Sequence, residues 1–329
     1  MARSAADWES RLGRRLKLRD LHILSTVVQW GSMAKGAAHL GMSQPAVSEA
    51  VANLEGTLEV PLLDRSPRGV EPTVYARALL KRGQVIFDEL KQGIRDIEFL
   101  TDPTRGEVRI GCPESLAAGF IPAIVDRLTR QYPGISVHVV SAQPGEQEFH
   151  ELRERSVDLL LGRLFKPVSV EDVTAEELCQ DALFVVGGAA SRWAKRRKIV
   201  RPELMHEPWI LFPDNSLSNA HIADAFRAQG LQLPSRSLRS FSIQVRLHLL
   251  ATGRFLTVLH GSVLQFNAEA WKLKALPIDL PVGPMPIAIF TLKNRSPSPV
   301  VQLFVREAKQ VANVLDATFH RMKAAVLAG

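Results

Sequence analysis

A run of hydrogen-bonding side chains occupies one side of a short helical segment near the start of the chain. At 100° per residue within residues 44–55, Val47, Ala50, Val51 and Leu54 fall on one face, which predicts a core contact. The opposite face carries short polar or small side chains: Gln44, Pro45, Ser48, Glu49, Ala52 and Asn53. Side chains of Gln, Ser, Glu and Asn can hydrogen-bond to base edges in the DNA major groove. The segment therefore predicts a helix that reads DNA.

The residues around this segment predict a second helix and a tight turn. Ser32 follows Gly31, and Ser43 follows Gly41 by two positions, so the order is stop, cap, helix, stop, cap, helix. Pro45 fits the first turn of the second helix, where no internal N–H is needed. The pair indicates a helix-turn-helix. The alternative is an ordinary solvated helix in an all-α domain.

A predicted hairpin follows the two helices. Residues 60–65 and 70–73 have strand character, and the turn between them reads Ser-Pro-Arg-Gly. Arg65 and Arg68 lie beside its tip, where they could meet phosphates or a minor groove. A charged turn that serves only solubility is the alternative.

Residues 21–73 resemble the N-terminal domain of LysR-type transcriptional regulators. The resemblance rests on motifs in the family's order: Leu21, Leu24, Val27, Gly31-Ser32, Ala37-Ala38, Leu40, SQPAVS at 43–48, Leu54-Glu55, Leu58, LLDRSPRG at 62–69 and Pro72-Thr73. It implies a winged helix-turn-helix that contacts an operator through these side chains: Ser32, Gln44, Pro45, Ser48, Glu49, Asn53, Arg65 and Arg68.

Three positions depart from the family's pattern. Glu59 stands where the family usually has Gly, and Leu63 stands where Phe is frequent; we expect both to affect packing only. Glu49 replaces a residue that is commonly basic or polar. A carboxylate there accepts from cytosine N4 and repels phosphate, which leaves the base preference at that position open.

Composition sets the limits of the interpretation. The chain has 329 residues, long enough for about two or three domains, and a net charge of +7, which permits nucleic-acid binding. Residues 1–18 are charged and lack an apolar core, so we expect no signal peptide. No apolar run reaches the roughly 18 residues of a membrane span. We therefore expect a cytoplasmic bacterial protein with no membrane partner.

The two cysteines predict neither a disulfide framework nor a zinc site. Cys112 and Cys179 are too few and too far apart for either pattern. Peroxide sensors occur in the resembled family, but no cysteine pair is close in this sequence. We interpret both as buried apolar residues, although a redox role stays open.

Residues 74–100 predict a long helix with a partner. Apolar residues recur at heptad spacing: Leu80, Phe87, Leu90, Ile94 and Ile97. A heptad seam needs a facing helix, although Gly83 weakens it where another apolar residue belongs. In the resembled family the linker helix pairs two protomers. The alternative is packing on the chain's own DNA-binding domain. Residues 101–106 are the predicted hinge.

Beyond the hinge, strands alternate with helices. Predicted strands are EVRIGC (107–112), ISVHVV (135–140), VDLLLG (157–162), ALFVVGG (182–188), PWILFP (208–213), LRSF (238–241), FLTVLH (255–260) and MPIAIFTL (285–292), the last returning to the first sheet. Predicted helices include residues 116–132, 146–155, 221–230 and 243–253. The alternation indicates parallel sheets. Two such subdomains resemble the periplasmic-binding-protein fold of LysR-type effector domains.

Polar residues follow the predicted strands at one sheet edge, where open α/β sheets bind ligands. The candidates are Glu114, Ser115, Ser141, Gln143, Arg163, Asn215, Ser216, Ser242 and His260. Each could instead be a helix cap or turn. Arg163 suits an anion, whereas Glu114, Gln143 and Asn215 suit hydroxyls, so a sugar and an organic acid both remain open. LLDRSPRGVEPT and LLLGR resemble the family branch that regulates a sugar-binding protein.

These predictions combine into an α/β protein with an N-terminal winged helix-turn-helix, a long linker helix and a two-lobed effector domain. The predicted ranges are 1–17 (N-terminal extension), 18–73 (DNA-binding domain), 74–106 (linker and hinge) and 107–329 (effector domain), with lobe I at about 107–178 and 284–329 and lobe II at about 179–283. We expect a ligand-responsive transcription regulator that binds double-stranded operator DNA and a small metabolite, and that assembles as a dimer or a dimer of dimers.

The sequence supports two other functional classes less well than it supports a transcription regulator. An α/β enzyme lacks support because the sequence has no Gly-rich phosphate loop, no G-x-S-x-G and no His-Glu-x-x-His motif. A solute-binding protein of transport would need a signal peptide. We expect no catalytic residues, metal or cofactor.

Overall fold

The computed structural model describes residues 16–67, 69–144, 148–165, 167, 170–228, 230, 232–234, 237–278, 280, 282–283 and 285–328. The chain divides after Gly93 into two compact units. The first unit holds a helical domain with a small hairpin. The second holds two five-stranded sheets covered by helices.

Three helices build the core of the first unit. They are α1 (Leu18–Trp30), α2 (Met33–Leu40) and α3 (Gln44–Leu58). Gly31 and Gly41, both with left-handed backbones, end the first two. The Ser32 and Ser43 hydroxyls cap the next helices by accepting from the backbone N–H groups of Lys35 and Ala46. These contacts confirm the predicted order of stops and caps.

The hairpin consists of β1 (Leu63–Ser66) and β2 (Gly69–Pro72), which pair antiparallel. The hairpin itself is confirmed, but the first strand begins later than predicted. At this start Glu55 Oε1 accepts from the backbone N–H of Leu62 (2.7 Å) and Leu63 (3.2 Å), which ties the hairpin to α3. Val70 N donates to Gly31 O (3.0 Å), which ties the hairpin to the turn after α1.

A 28-residue helix, α4 (Val74–Thr101), runs across the division between the units. Thr73 Oγ1 accepts from Ala76 N (3.2 Å) and donates to Pro61 O (2.8 Å), which fixes its start. Gly83 lies so close to Leu21 that an added Cβ would stand 2.9 Å from a Leu21 methyl carbon. The glycine predicted to weaken the seam thus permits close approach to the chain's own core.

The first sheet of the second unit defines lobe I. Its strands are β3 (Arg105–Cys112), β4 (Gly134–Ser141), β5 (Leu159–Arg163), β6 (Val173–Cys179) and β12 (Ile287–Leu292). The strand order is β4-β3-β5-β12-β6. Its covering helices are α5 (Glu114–Ala117), α6 (Phe120–Gln131) and α7 (His150–Arg153).

The second sheet defines lobe II. Its strands are β7 (Leu183–Gly188), β8 (Trp209–Leu211), β9 (Ser237–Arg239), β10 (Leu256–His260) and β11 (Leu273–Ala275), in the order β11-β7-β10-β8-β9. Its helices are α8 (Arg201–Leu204), α9 (Leu217–Arg227), α10 (Ile243–Ala251) and α11 (Gly261–Asn267).

The last helix, α12 (Pro299–Ala328), contributes to both lobes. Phe304 and Leu315 belong to the core of lobe I, whereas Phe319 and Met322 pack against a core cluster of lobe II. Between them, Asp316 Oδ1 accepts from Gln180 N (3.1 Å) in the segment that crosses between the sheets. One continuous helix therefore joins the cores of the two lobes.

The structure differs from the predicted α/β pattern in several details, among them the strand directions and the length of one helix. The sheets are mixed, because β12 runs antiparallel to β5 and β6, and β7 runs antiparallel to β10. The helix predicted over 146–155 spans only His150–Arg153 in the described part of that segment. The return of residues 285–292 to the first sheet is confirmed, since Ile287 pairs with Arg163. Over the described residues, none of the helices has the length and apolar character needed to span a bilayer.

Candidate functional site

The polar face of α3 is accessible. Val47, Ala50, Val51 and Leu54 are buried, in agreement with the predicted core face. The side chains predicted to face DNA are exposed or half-buried: Gln44, Pro45, Ser48, Glu49 and Asn53. The helix thus presents a surface of short polar side chains without large hydrophobic groups, as a major-groove reader requires.

Arg65 is exposed on β1 of the hairpin, in the position expected for a phosphate contact. Ser66 Oγ donates to Gly69 O (3.4 Å) across the turn. Arg68 lies outside the described residues. Ser32 is half-buried, and its hydroxyl caps α2.

Glu59 has a backbone role that the sequence analysis missed. It follows α3 with φ 58° and ψ 33°, the left-handed conformation in which glycine is preferred. The expectation that this departure affects packing only is therefore wrong. A Cβ in this conformation costs roughly 1–2 kcal/mol.

The predicted heptad residues of α4 divide into two groups. Leu80 packs against the core of the DNA-binding unit, and the Phe87 ring meets His22 at 5.8 Å between ring centroids. Leu90, Ile94 and Ile97 are exposed by 47%, 57% and 65%. The alternative interpretation, packing on the chain's own domain, therefore describes the first part of the seam. The second part is an exposed apolar surface of the chain.

A cleft of about 520 Å³, including the space open to solvent, lies between the two lobes. Residues from the strand ends of both sheets line it: Pro113, Glu114, Ser115, Gln143, Pro144, Arg163, Phe165, Phe212, Ser218, Phe241 and His260. Five of the nine residues predicted from strand ends are among them. The three phenylalanines and Ser218 were not predicted, although Phe212 directly follows β8, so the same strand-end argument extended to apolar residues would have found it.

Arg163 lines the floor of the cleft, and its guanidinium belongs to a buried hydrogen-bond network. Its Nη2 lies 2.9 Å from Asp181 Oδ2, and its Nη1 donates to Ser115 Oγ (2.8 Å). Nη2 also donates to Ser262 Oγ (2.8 Å), which in turn donates to Asp181 Oδ2 (2.7 Å). Burial lowers the pKa of Arg163, and the Asp181 carboxylate opposes that shift. The bond from β5 to α11 joins lobe I to lobe II.

A second buried guanidinium, that of Arg246, packs against Phe212, one of the three phenylalanines that form the aromatic wall of the cleft. Arg246 is fully buried and donates to Ser240 O (2.6 Å) and Val258 O (3.1 Å). Its guanidinium carbon lies 3.8 Å from the centroid of the Phe212 ring. Burial lowers the pKa of Arg246 to about 10, so it remains charged at neutral pH.

His260 lies beside this wall with a free ring nitrogen. Its side chain is 3% exposed, and within the described part of the chain its Nε2 is buried without a hydrogen-bond partner. Burial, followed by the charges of Arg163 and Arg246, lowers the pKa of His260 well below 6.5. The imidazole is therefore neutral at physiological pH.

Glu114 bridges the lobes near the mouth of the cleft. Its Oε1 accepts from Ser242 Oγ (3.2 Å) and from Gln244 N (3.3 Å), at the N-terminus of α10. Ser242 itself caps α10 by accepting from Val245 N. The predicted residue Ser242 thus contacts a cleft residue without lining the cleft.

Three further predicted residues are not among those that line the cleft. Ser216 is buried at the start of α9, where it accepts from Asn219 N (3.1 Å) and donates to Pro213 O (2.8 Å). Both bonds are those of a helix cap, the alternative that the sequence left open. Asn215 is exposed beside it, and Ser141 is exposed at the end of the edge strand β4.

Neither cysteine is positioned for redox chemistry. Burial raises the pKa of both Cys112 and Cys179 to about 12. They lie on β3 and β6, which are separated by two strands of the same sheet, or about 14 Å at the usual strand spacing. A disulfide needs Cα atoms within about 7 Å, so it cannot form in this fold. Among the described residues, no group of three or more His, Cys, Asp or Glu side chains could hold a metal ion.

A helix-turn-helix with an exposed polar face, combined with a two-lobed domain around a cleft, defines a DNA-binding regulator with a ligand-binding domain. Sequence profiles agree: residues 18–77 match the bacterial regulatory helix-turn-helix protein, lysR family, and residues 101–313 match the LysR substrate binding domain. The chain belongs to the LysR family of DNA-binding transcriptional regulators.

Individual relatives are similar along most of their length. The chain is 28% identical to the transcriptional regulator GbpR of Azospirillum brasilense over 302 residues, which cover 90% of this chain and 86% of GbpR. It is 25% identical to the dual regulator GltC of Bacillus subtilis over 304 residues, which cover 92% of this chain and 99% of GltC. Both relatives are transcriptional regulators.

Solved structures share the fold. Full-length CbnR in complex with its target DNA superposes with a TM-score of 0.60 at 18% identity, covering 90% of this chain and all of CbnR. Full-length OxyR from Pseudomonas aeruginosa gives a TM-score of 0.53 at 19% identity, covering 89% of this chain and 99% of OxyR. At these identities the similarity establishes the architecture alone.

Proposed function

We propose that the exposed face of α3 contacts the bases of the operator DNA and that the hairpin contacts the phosphate backbone of that DNA. The observation that carries this proposal is the separation of faces on α3, with Gln44 and Asn53 exposed and Val47 buried. Residues near the N-terminus of a recognition helix reach base edges, whereas an arginine on a wing meets phosphate. Gln44, Pro45 and Ser48 therefore supply specificity, while Arg65 supplies affinity for any sequence.

Gel-shift titrations with the DNA upstream of the gene test this division. Gln44→Ala should weaken specific binding by about 1–3 kcal/mol and leave binding to unrelated DNA nearly unchanged. Arg65→Ala should weaken binding to both and reduce the salt slope by about one unit. Arg82→Ala, which removes an exposed charge from α4, is the control. Equal loss of specificity in Gln44→Ala and Arg65→Ala would contradict the assignment.

We propose that a small metabolite binds in the cleft between the lobes and modulates DNA binding. The lining combines convergent polar groups with three phenylalanines, the mixture of side chains typical of small-molecule sites. A ligand that contacts both lobes can bias their relative orientation only through its different affinity for the two states. We also propose that the protein acts in the cytoplasm, because a regulator of this kind binds chromosomal DNA.

Variants of the lining test the cleft. Ser115→Ala should weaken effector binding, because Ser115 lines the cleft and holds Arg163, while operator binding without effector should persist. Ser216→Ala is the matched control: it should lower stability by about 1 kcal/mol through the lost cap and leave effector binding unchanged. Unchanged effector affinity in Ser115→Ala, measured by calorimetry, would place the site elsewhere.

We also propose that α4 pairs two protomers through its exposed apolar residues, Leu90, Ile94 and Ile97, and that two dimers associate into a tetramer. The exposure of these side chains supports the pairing. Two DNA-binding domains on adjacent half-sites multiply the discrimination of a single recognition helix. Light scattering of the purified chain tests the assembly state.

A further inference from the structure

Two positive groups at the cleft, the Arg163 side chain and the N-terminus of α10, are each matched by a carboxylate of the protein. The Arg163 guanidinium is held by Asp181 through Nε (3.1 Å) and Nη2 (2.9 Å). The N-terminus of the nine-residue helix α10, which would attract an anion, receives the Glu114 carboxylate instead. An anionic ligand would have to displace one of these groups or lie beside it.

Among the described residues in and directly behind the cleft lining, the buried network and the bridge between the lobes contain two positive and two negative side chains. Arg163 and Arg246 carry positive charge, and Asp181 and Glu114 carry negative charge, while the neutral imidazole of His260 adds none. An additional carboxylate beside Glu114, in a half-buried site, would be a like charge without a counter-ion. An uncharged ligand has no such penalty.

One buried polar group of the lining has no protein partner. His260 Nε2 faces no hydrogen-bonding atom within the described residues, and His260 lines the cleft. Leaving a buried donor or acceptor unsatisfied costs free energy, so a ligand that supplies a hydrogen-bond partner is bound more tightly. A hydroxyl suits a neutral imidazole nitrogen in either tautomer, because it can both donate and accept.

The rest of the cleft lining is part aromatic and part neutral polar, and this mixture restricts the kind of ligand that can bind. Phe165, Phe212 and Phe241 contribute aromatic faces and edges, whereas Ser115, Gln143 and Ser218 contribute neutral polar groups. A molecule with an apolar face and several hydroxyls matches this lining.

We propose that the effector is an uncharged hydroxylated molecule, one hydroxyl of which hydrogen-bonds to His260 Nε2. This inference rests on the proposed effector site. It selects between the two ligand classes that the strand-end residues left open, a hydroxylated neutral molecule and an organic acid, and it assigns specificity to His260 and Glu114.

Fractionation of natural metabolites tests the proposal even though the ligand is unidentified. A low-molecular-mass extract of cells that carry the gene is separated by anion and cation exchange at pH 8 into anionic, cationic and uncharged fractions. Each fraction is added to the full-length protein, and the rise in melting temperature is measured. The uncharged fraction should stabilise the protein. His260→Gln should need about tenfold more of that fraction for the same rise. Ser141→Ala, exposed and outside the lining, should respond like the original protein.

Each outcome is decisive. Stabilisation by the anionic or the cationic fraction would overturn the inference while leaving an effector site in place. An unchanged response of His260→Gln to the uncharged fraction would overturn the role of His260. No stabilisation by any fraction would count against the proposed effector function itself, and the inference would fall with it. If His260→Gln does not fold, the fractions tested on the unsubstituted protein still decide the charge of the ligand.

Discussion

Arg163 Nη2 lies 2.9 Å from Asp181 Oδ2, and both side chains are almost completely buried. Arg163 ends β5 of lobe I, and Asp181 lies where the chain crosses from β6 to β7. The pair therefore holds the floor of the cleft at the junction of the lobes. Such a pair adds little net stability over apolar residues, but removal of one partner leaves an uncompensated buried charge.

Asp181→Asn should lower the free energy of unfolding by about 3–5 kcal/mol, because the Arg163 charge loses its counter-ion. Urea denaturation followed by circular dichroism measures the change. Asp126→Asn is the matched control, since the side chains of Asp126 and Arg130 are 60% and 77% exposed and their pair should contribute at most about 1 kcal/mol. Similar losses in both variants would refute a special role for the buried pair.

Glu59→Gly should raise the stability of the DNA-binding unit. Glu59 has a left-handed backbone after α3, which a side chain disfavours and glycine accepts. Glu59→Ala removes the same carboxylate but keeps the Cβ. The difference in stability between the two variants therefore measures the cost of the left-handed backbone conformation for a residue with a Cβ. The glycine variant should be more stable than the alanine variant by about 1 kcal/mol, measured by chemical denaturation. An alanine variant of equal or greater stability would show that the conformation is not strained.

Ile94→Asp should convert dimers into monomers. Ile94 is 57% exposed within its own chain, so the substitution should leave the melting temperature of the monomer nearly unchanged while placing a charge in the seam. Phe87→Asp is less selective, because Phe87 also contacts His22. Arg82→Asp adds the same group about 120° around the helix and should remain dimeric. Light scattering that shows intact Ile94→Asp dimers would exclude this face from the interface.

Stability should fall on mild acidification partly because of His260. The pKa of its imidazole is lower in the folded protein than the 6.5 of an unfolded histidine, so below pH 6.5 the unfolded chain binds a proton that the folded chain does not. The contribution of the neutral His260 imidazole to the free energy of unfolding is fully present above pH 6.5. It should decline by up to about 1.4 kcal/mol per pH unit below it. His260→Gln should show a shallower decline between pH 6.5 and 5, and identical profiles would contradict the assigned pKa.

Neither cysteine should react with a thiol reagent while the protein is folded. Burial raises the pKa of Cys112 and Cys179 to about 12, which leaves almost no thiolate at pH 8. Labelling with a chromogenic disulfide should therefore be slow in buffer and rapid in denaturant, with two thiols released per chain. Peroxide at concentrations that oxidise exposed thiols should not change operator binding. Rapid labelling of the folded chain would reopen a redox role.

Local patterns were sufficient for the DNA-binding unit. Helix α3, its N-cap at Ser43 and the separation of Val47 from Gln44 depend on residues a few positions apart, so periodicity and the resemblance to a known family predicted them. The left-handed backbone at Glu59 was not predicted, because glycine is the usual sign of that conformation. The strand β6 escaped prediction because its sequence, VTAEELC, is charged and mostly exposed, and only its pairing with β12 makes it a strand.

Short-range patterns were enough to predict the class of protein, the polar face of α3 and the sheet edge that carries the strand-end residues. Which of those residues meet, and which charges they bring together, depends on the tertiary structure. Asp181 and Ser262 are 18 and 99 residues from Arg163 along the chain, yet both hydrogen-bond to its guanidinium. Ser216 turns inward as a cap, while Phe212 and His260 form a wall. Contacts between distant segments depend on how the whole chain packs, and no local periodicity encodes them.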